Sequence, residues 1–356
     1  MTTGSEASAR RLRVAVVASV SPASLRELRL REPRIDLIDL DGLVPTSRFP
    51  GDFAGDPAHS RDDAARKRFE ESIARADALF GIPDSSPEEL ARTLRRAPSI
   101  RWVHTMAAGG GAQVRAAGLT SAELDRVVFT TSAGVHGGPL AEFAVFGVLA
   151  GAKHLPRLLA QQRAREWTER WFMSRLEGRT ALVLGLGGIG ARIAELLSAL
   201  GMTVIGANRS GSPVSSVSRV IRLDEVVDAA RTADAVICAL PGTGETEGLL
   251  DERFFAAVHP GATFVNVGRG SVVDEKALIE ALENGRLGFA ALDVVSVEPL
   301  AADSPLWGLD RVVISPHTAA LHVDEEARIV QLFAANATRL LDGLEPVNRV
   351  DTVNFY

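Results

Sequence analysis

The chain has one cysteine, Cys238, and so cannot close an intrachain disulfide. That residue lies in the apolar run AVICALP, which reads as a buried strand, so a core thiol in a reducing compartment is expected, not a nucleophile. A basic excess is also missing. Lys and Arg total 39 against 45 Asp and Glu, a net charge of -6, which argues against a nucleic-acid partner held on a basic surface. Nor does any run approach the roughly 18 apolar residues that a membrane span needs. The stretch Val14 to Val20 after Arg10 and Arg11 is only seven residues long, and charge returns at once in LRELRLREPR. A first β-strand is expected there and not an export signal, which makes the cytoplasm the expected location. No repeat of solenoid period occurs.

What is present describes a globular chain with ample core: 46% apolar and 24% charged residues over 356 positions, a length that favours two domains. The most informative stretch is TALVLGLGGIG, Thr180 to Gly190. An apolar strand runs into Gly185, Gly187 and Gly190 at G-x-G-x-x-G spacing, and a helix-forming segment follows. Such glycines allow the turn, the approach of a pyrophosphate to the backbone, and the packing of helix on strand. The helix start then turns its free N–H groups toward the phosphates.

Around this motif the chain alternates apolar runs and helical stretches. RVAVVAS, RIDLIDL, ADALFG, IRWVHT and RVVFTT mark strands in the first 130 or so residues, with helices over 62–76 and 87–98. Pro45 to Ser60 reads as an exposed loop. PLAEFAVFGVLAGAKHLPRLLAQQRAREW reads as one long helical bridge. Six further strands follow, TALVLGLG, MTVIGANRS, ADAVICALP, ATFVNVGRG, FAALDV and RVVISPH, and a last amphipathic helix ends at Gly343. The expectation is an α/β chain with doubly wound parallel sheets.

The motifs GLGGIG, LPGTGETEGLL, NVGRGSVVDEKAL, ALDVVSVEP and SPHTAA, in that order, resemble the D-isomer-specific 2-hydroxyacid dehydrogenase family, in its glyoxylate/hydroxypyruvate reductase-like branch. The resemblance implies two Rossmann-like domains, with a dinucleotide-binding lobe (135–318) inserted in a flavodoxin-like substrate lobe (1–134 and 319–356) and the active site in the cleft between them. It also implies a homodimer formed through the nucleotide lobe, and no metal.

By the same resemblance His317 is the proton donor and Glu298 its carboxylate partner, which orients the imidazole and favours its protonated form. Arg269, between two glycines that free the backbone to aim it, would bind the substrate carboxylate and polarise the keto group. In TMAAGGG, the backbone N–H groups of Ala108 and Gly109 would form an anion nest. Gly111 stands where the family often has an aspartate that would cap the next helix. The cofactor would be held by Gly185, Gly187, Gly188, Ile189 and Gly190, by Leu240, Pro241 and Thr246, by Val267 and Gly268, and by Asp293 at the nicotinamide carboxamide.

At the end of the second strand of the nucleotide lobe, Asn208 occupies the place of the usual acid, followed by Arg209 and Ser210. An acid there would repel a 2'-phosphate, whereas arginine and a hydroxyl suit one, so NADP(H) is expected, with NAD(H) as the alternative. The expected reaction is reduction of a small 2-oxo acid to the D-2-hydroxy acid. A dinucleotide-sensing, corepressor-like module is the alternative function.

Overall fold

The structure is a computed structural model that describes residues 11–356 except positions 50, 210, 354 and 356. The chain divides into two compact units, Met1–His136 with Leu321–Tyr356, and Gly137–Ala320.

The first unit is built on five strands, β1 (Leu12–Val16), β2 (Ile35–Ile38), β3 (Ala78–Phe80), β4 (Trp102–Thr105) and β5 (Val128–Thr131). Its helices are α1 (Pro22–Arg31), α2 (Asp63–Ile73), α3 (Pro87–Arg96), α4 (Gly111–Ala116) and α5 (Ser121–Arg126). The strands are parallel in the order β2-β1-β3-β4-β5, the flavodoxin-like order. Local chemistry sets the helix starts: Ser21, Asp62, Ser86 and Thr120 each accept a backbone N–H three residues on, a cap worth about 1 kcal/mol. Successive strand residues enter opposite cores, as a pleat of period two requires. Leu79, Val103 and Phe129 pack with Leu90 and Leu94, while Phe80 and Trp102 face the other way. The loop over 45–60 is more than an exposed insertion. Buried Asp52 accepts from Arg48 N and Gly55 N and pairs with the Arg48 guanidinium, tying the loop to itself.

The second unit opens with α6 (Gly137–Ala152) and α7 (Leu155–Ala164). The single bridge expected from the sequence is thus two helices, bent by 66°. The break falls at His154, whose φ is +50°, two residues before Pro156, which cannot donate to a preceding turn. No single described helix is long and apolar enough to cross a membrane; this bent pair passes by length and composition alone. Leu140, Ala144 and Val148 of α6 are buried in the core of this unit.

Then follow β6 (Thr180–Leu184), α8 (Gly188–Ala199), β7 (Thr203–Ala207), β8 (Arg219–Ile221), α9 (Val226–Ala230), β9 (Ala235–Cys238), α10 (Glu252–Ala257), β10 (Ala262–Asn266), α11 (Glu275–Glu283), β11 (Leu287–Leu292) and β12 (Val312–Ile314). Six strands were expected and seven are present. The extra one, β8, is a three-residue edge strand flanked by arginines, too short and too charged to show as an apolar run. The order β12-β11-β10-β9-β6-β7-β8 is parallel throughout. Counted from β6 it is the 3-2-1-4-5-6 order of a dinucleotide-binding sheet with one strand added.

Two glycines of the first turn are there for steric reasons. Gly185 has φ +93°, and a Cβ would stand 2.9 Å from the Ala239 carbonyl oxygen. A Cβ on Gly190 would overlap the Gly185 carbonyl, so any side chain would push α8 off β6. Cys238 is fully buried, and burial pushes its thiol up to about 12, which makes it inert at neutral pH. The final helix, α12 (Glu325–Leu341), belongs to the first unit, where Phe333 stacks on Phe80 at 4.2 Å and on Trp102 at 4.4 Å.

Candidate active site

The pairing register of the second sheet lines up the last residues of its strands. Ile314 pairs with Leu292, Leu292 with Asn266, Asn266 with Cys238, Cys238 with Leu184, Leu184 with Ala207, and Ala207 with Ile221. The chain therefore leaves every strand along one carboxyl edge, where ligands of open α/β sheets lie. Along that edge stand His317 after β12, Asp293 after β11, Arg269 after β10, Leu240 after β9, Gly185 after β6 and Asn208 after β7. At about 4.8 Å per strand, the row from β12 to β7 covers roughly 24 Å, an extended ligand's length.

At its middle, α8 starts without a side-chain cap, so its first N–H groups are left for a ligand. Gly187 and Gly188 are exposed, and nothing lies within 4 Å of where their Cβ atoms would be. An open backbone cradle at a helix start, at the topological switch between β6 and β9, fits a dinucleotide's pyrophosphate.

At the β12 end, His317 Nδ1 lies 2.8 Å from Glu298 Oε2, and both side chains are partly exposed. Asp293 builds the loop that presents the histidine. It is buried, its backbone carbonyl accepts from His317 N at 2.9 Å, and its Oδ1 accepts from Ser315 Oγ, Thr318 N and Ala319 N at 2.7, 3.0 and 2.9 Å. Oδ2 makes no hydrogen bond to a described residue. His317 itself has φ +54°, a conformation that costs a non-glycine residue on the order of 1–3 kcal/mol and persists only where surrounding bonds impose it. The sequence motif contained His317, Glu298 and Asp293; Ser315 as a tether went unrecognised.

Arg269 is exposed, donates Nη1 to the Gly268 carbonyl at 2.7 Å, and makes no ion pair with a described residue. Its loop is set by buried Asn266, which accepts from Gly268 N at 3.0 Å and donates to the Arg269 carbonyl at 3.3 Å. Asn266 opens the motif NVGRGSVVDEKAL, in which only its place at a strand end hints at this role. The flanking glycines serve a purpose other than freedom of the backbone. Neither has a positive φ; a Cβ on Gly268 would meet the Leu240 backbone and one on Gly270 would overlap the Val295 carbonyl. Close backbone approach, and not flexibility, requires them.

Other expected residues are occupied locally. Thr246 is buried, and its hydroxyl donates to the Pro241 carbonyl at 2.6 Å and accepts from Thr243 N at 2.9 Å, closing the loop after β9. Leu240 and Val267 are buried beside it, and Ile189 is partly exposed in the first turn of α8. Asn208 Oδ1 accepts from Gly211 N and its Nδ2 donates to the Ser212 carbonyl at 3.0 Å, so the side chain folds its own loop. Arg209 follows it; Ser210 lies outside the described residues.

In the first unit, neither Ala108 nor Gly109 donates its backbone N–H to a described acceptor, and Gly109 is exposed. The N-cap of α4 is Gly110, one residue before the expected Gly111, which is the first residue of the helix, and no side chain caps it. His104 is fully buried between Thr130 Oγ1 at 2.8 Å and Ser132 Oγ at 3.2 Å, and burial lowers its pKa to about 3. His136 is bonded through Nε2 to buried Glu325 at 2.7 Å.

A 3-2-1-4-5-6 sheet with an uncapped glycine-rich helix start and a histidine–carboxylate pair on the same edge is the arrangement of a nicotinamide dinucleotide-dependent dehydrogenase. Comparison with known proteins agrees. Residues 145–319 match the family model described as D-isomer specific 2-hydroxyacid dehydrogenase, NAD binding domain. A glyoxylate reductase of Aeropyrum pernix is 32% identical over 288 residues, covering 78% of this chain and 83% of that one. A D-3-phosphoglycerate dehydrogenase of Mycobacterium tuberculosis is 32% identical over 268 residues, 75% of this chain, which spans only 49% of that enzyme. Among solved structures, a D-isomer specific 2-hydroxyacid dehydrogenase from Xanthobacter autotrophicus Py2, in complex with NADPH and MES, superposes with a TM-score of 0.76 at 28% identity, covering 97% of this chain and all of that one. The chain belongs to the D-isomer specific 2-hydroxyacid dehydrogenase family.

Proposed function

We propose that this enzyme uses NADPH to reduce a small 2-oxo acid to the D-2-hydroxy acid, with His317 as the general acid. The observation that carries the reading is the 2.8 Å bond between His317 Nδ1 and Glu298. A carboxylate on Nδ1 fixes that nitrogen as the protonated one and orients the ring, leaving Nε2 to face the substrate and give up a proton. When bound, the reduced nicotinamide supplies a hydride to the carbonyl carbon. His317 Nε2 transfers its proton to the carbonyl oxygen as the C=O double bond becomes a C–O single bond, and Glu298 holds the ring in place as its charge falls. Arg269, which makes no ion pair with a described residue, would take the carboxylate through its planar fork and polarise the carbonyl.

In this reading the lobe 135–318 holds the dinucleotide, through the open backbone at Gly187 and Gly188 and through Asp293, whose unpaired Oδ2 would accept from the carboxamide. The lobe 1–134 with 319–356 receives the acid, with the unpaired N–H groups of Ala108 and Gly109 as donors to its carboxylate. NADPH is favoured because no acid stands at Asn208 to repel a 2'-phosphate and Arg209 follows it. The NADPH bound by the Xanthobacter autotrophicus relative supports this choice. A homodimer is proposed as well, since the segment after α7 exposes Trp167 and Phe172 almost fully.

The test is a comparison of kcat/KM for NADPH and NADH with glyoxylate, hydroxypyruvate and larger 2-oxo acids. NADPH should be preferred by about tenfold or more, the worth of a charge-assisted contact to the phosphate. An NADH preference would refute the cofactor assignment.

A further inference from the structure

Building on the NADPH reading, we infer that Arg222 is a second cation for the 2'-phosphate, and that Asp224 competes with the phosphate for it. The edge strand β8, hidden in the sequence, places this arginine. Ile221 pairs with Ala207, and Asn208 N donates to the Ile221 carbonyl at 3.2 Å. Arg222 is therefore the next residue in the row along the carboxyl edge, one strand beyond Asn208 and Arg209. Asn208 spends its side-chain amide on Gly211 and Ser212, so recognition of a charged ribose at this end falls to cations.

Arg222 suits that task. Its side chain is 66% exposed, and its ion-pair partner is Asp224, with Nε to Oδ1 at 3.6 Å. That separation is too long for a good hydrogen bond, and an exposed pair of this kind contributes little. The other nearby carboxylate is engaged: Glu225 accepts from Arg222 N at 2.9 Å through Oε2 and lies 3.5 Å from Arg219 Nη2 through Oε1. A phosphate monoester offers more charge and three acceptor oxygens to a guanidinium fork than one loosely held carboxylate. In the bound state Arg222 leaves Asp224 for the phosphate.

Calorimetric titration of the full chain with 2',5'-ADP, and with 5'-AMP as the probe lacking the 2'-phosphate, separates the possibilities without turnover. Arg222→Ala should weaken 2',5'-ADP binding about tenfold and leave 5'-AMP within about twofold, with an unchanged Tm. Asp224→Asn should tighten 2',5'-ADP and leave 5'-AMP alone. If Arg222→Ala leaves 2',5'-ADP unchanged while Arg209→Ala weakens it, the role of Arg222 is refuted and the NADPH reading stands. Equal loss of both probes in Arg222→Ala would make its role structural and also refute the inference. Equal affinity of the unaltered chain for both probes would refute the NADPH reading itself.

Discussion

In the proposed reduction the histidine that delivers the proton must be held still, and two neighbours of His317 divide that task. Glu298 fixes the ring through Nδ1, whereas Asp293 holds the loop through Ser315, Thr318 and Ala319. Replacing His317 by Ala should lower kcat by about a hundredfold to ten-thousandfold with NADPH affinity retained in a fluorescence titration. Asp293→Ala should lower both kcat and Tm, because three partly buried hydrogen bonds vanish at once, each worth about 1 kcal/mol. At this scale the sequence exposes the groups that carry chemistry and hides the ones that position them. His317, Glu298 and Arg269 carry side chains whose chemistry announces itself, while Asn266 and Ser315, in the same motifs, are ordinary polar residues until the fold brings them to their partners. Asn208, in the place of the usual acid, uses its amide within its own loop, a local bond that its position in the motif does not announce.

Among the elements, the join of β6 to α8 tolerates little change. Gly190→Ala forces a Cβ into the Gly185 carbonyl, and overpacking of this kind costs about 1–3 kcal/mol or more; thermal melts should show the loss together with weakened NADPH binding. In the first unit, α12 is anchored by Phe333 between Phe80 and Trp102. Phe333→Ala should cost about 3–5 kcal/mol in urea unfolding. Strongly apolar strands and well-capped helices were readable because each carries its own signal: Ser86 before Pro87 marks the start of α3 as plainly in sequence as in structure. The edge strand β8 was not, since its three residues pair along one side only and bury little. The break between α6 and α7 was announced by Pro156, but apolar periodicity on both sides of it masked the signal.

For the whole molecule, acid should act in two stages, set by His104 and Glu32. Burial lowers His104 from 6.5 to about 3. The unfolded chain therefore takes up a proton there that the folded chain refuses, so this contribution is complete above pH 6.5 and is lost as pH falls toward 3, by at most about 1.4 kcal/mol per pH unit. Glu32, lowered from 4.5 to about 2 chiefly by its hydrogen bonds from Arg34, adds a second loss only below pH 4.5. Urea midpoints across this range should decline from pH 6.5 downward, and His104→Gln should remove the upper part of the decline. Sedimentation should give a dimer, and Trp167→Glu with Phe172→Glu should yield monomers if the exposed segment after α7 makes the contact. The central claim is tested most directly by oxidation of NADPH in the presence of glyoxylate and hydroxypyruvate, with His317→Ala measured alongside. The account predicts turnover by the unaltered enzyme and a loss of at least about a hundredfold in the variant. Tight NADPH binding without oxidation by any 2-oxo acid, or a variant as active as its parent, would contradict it.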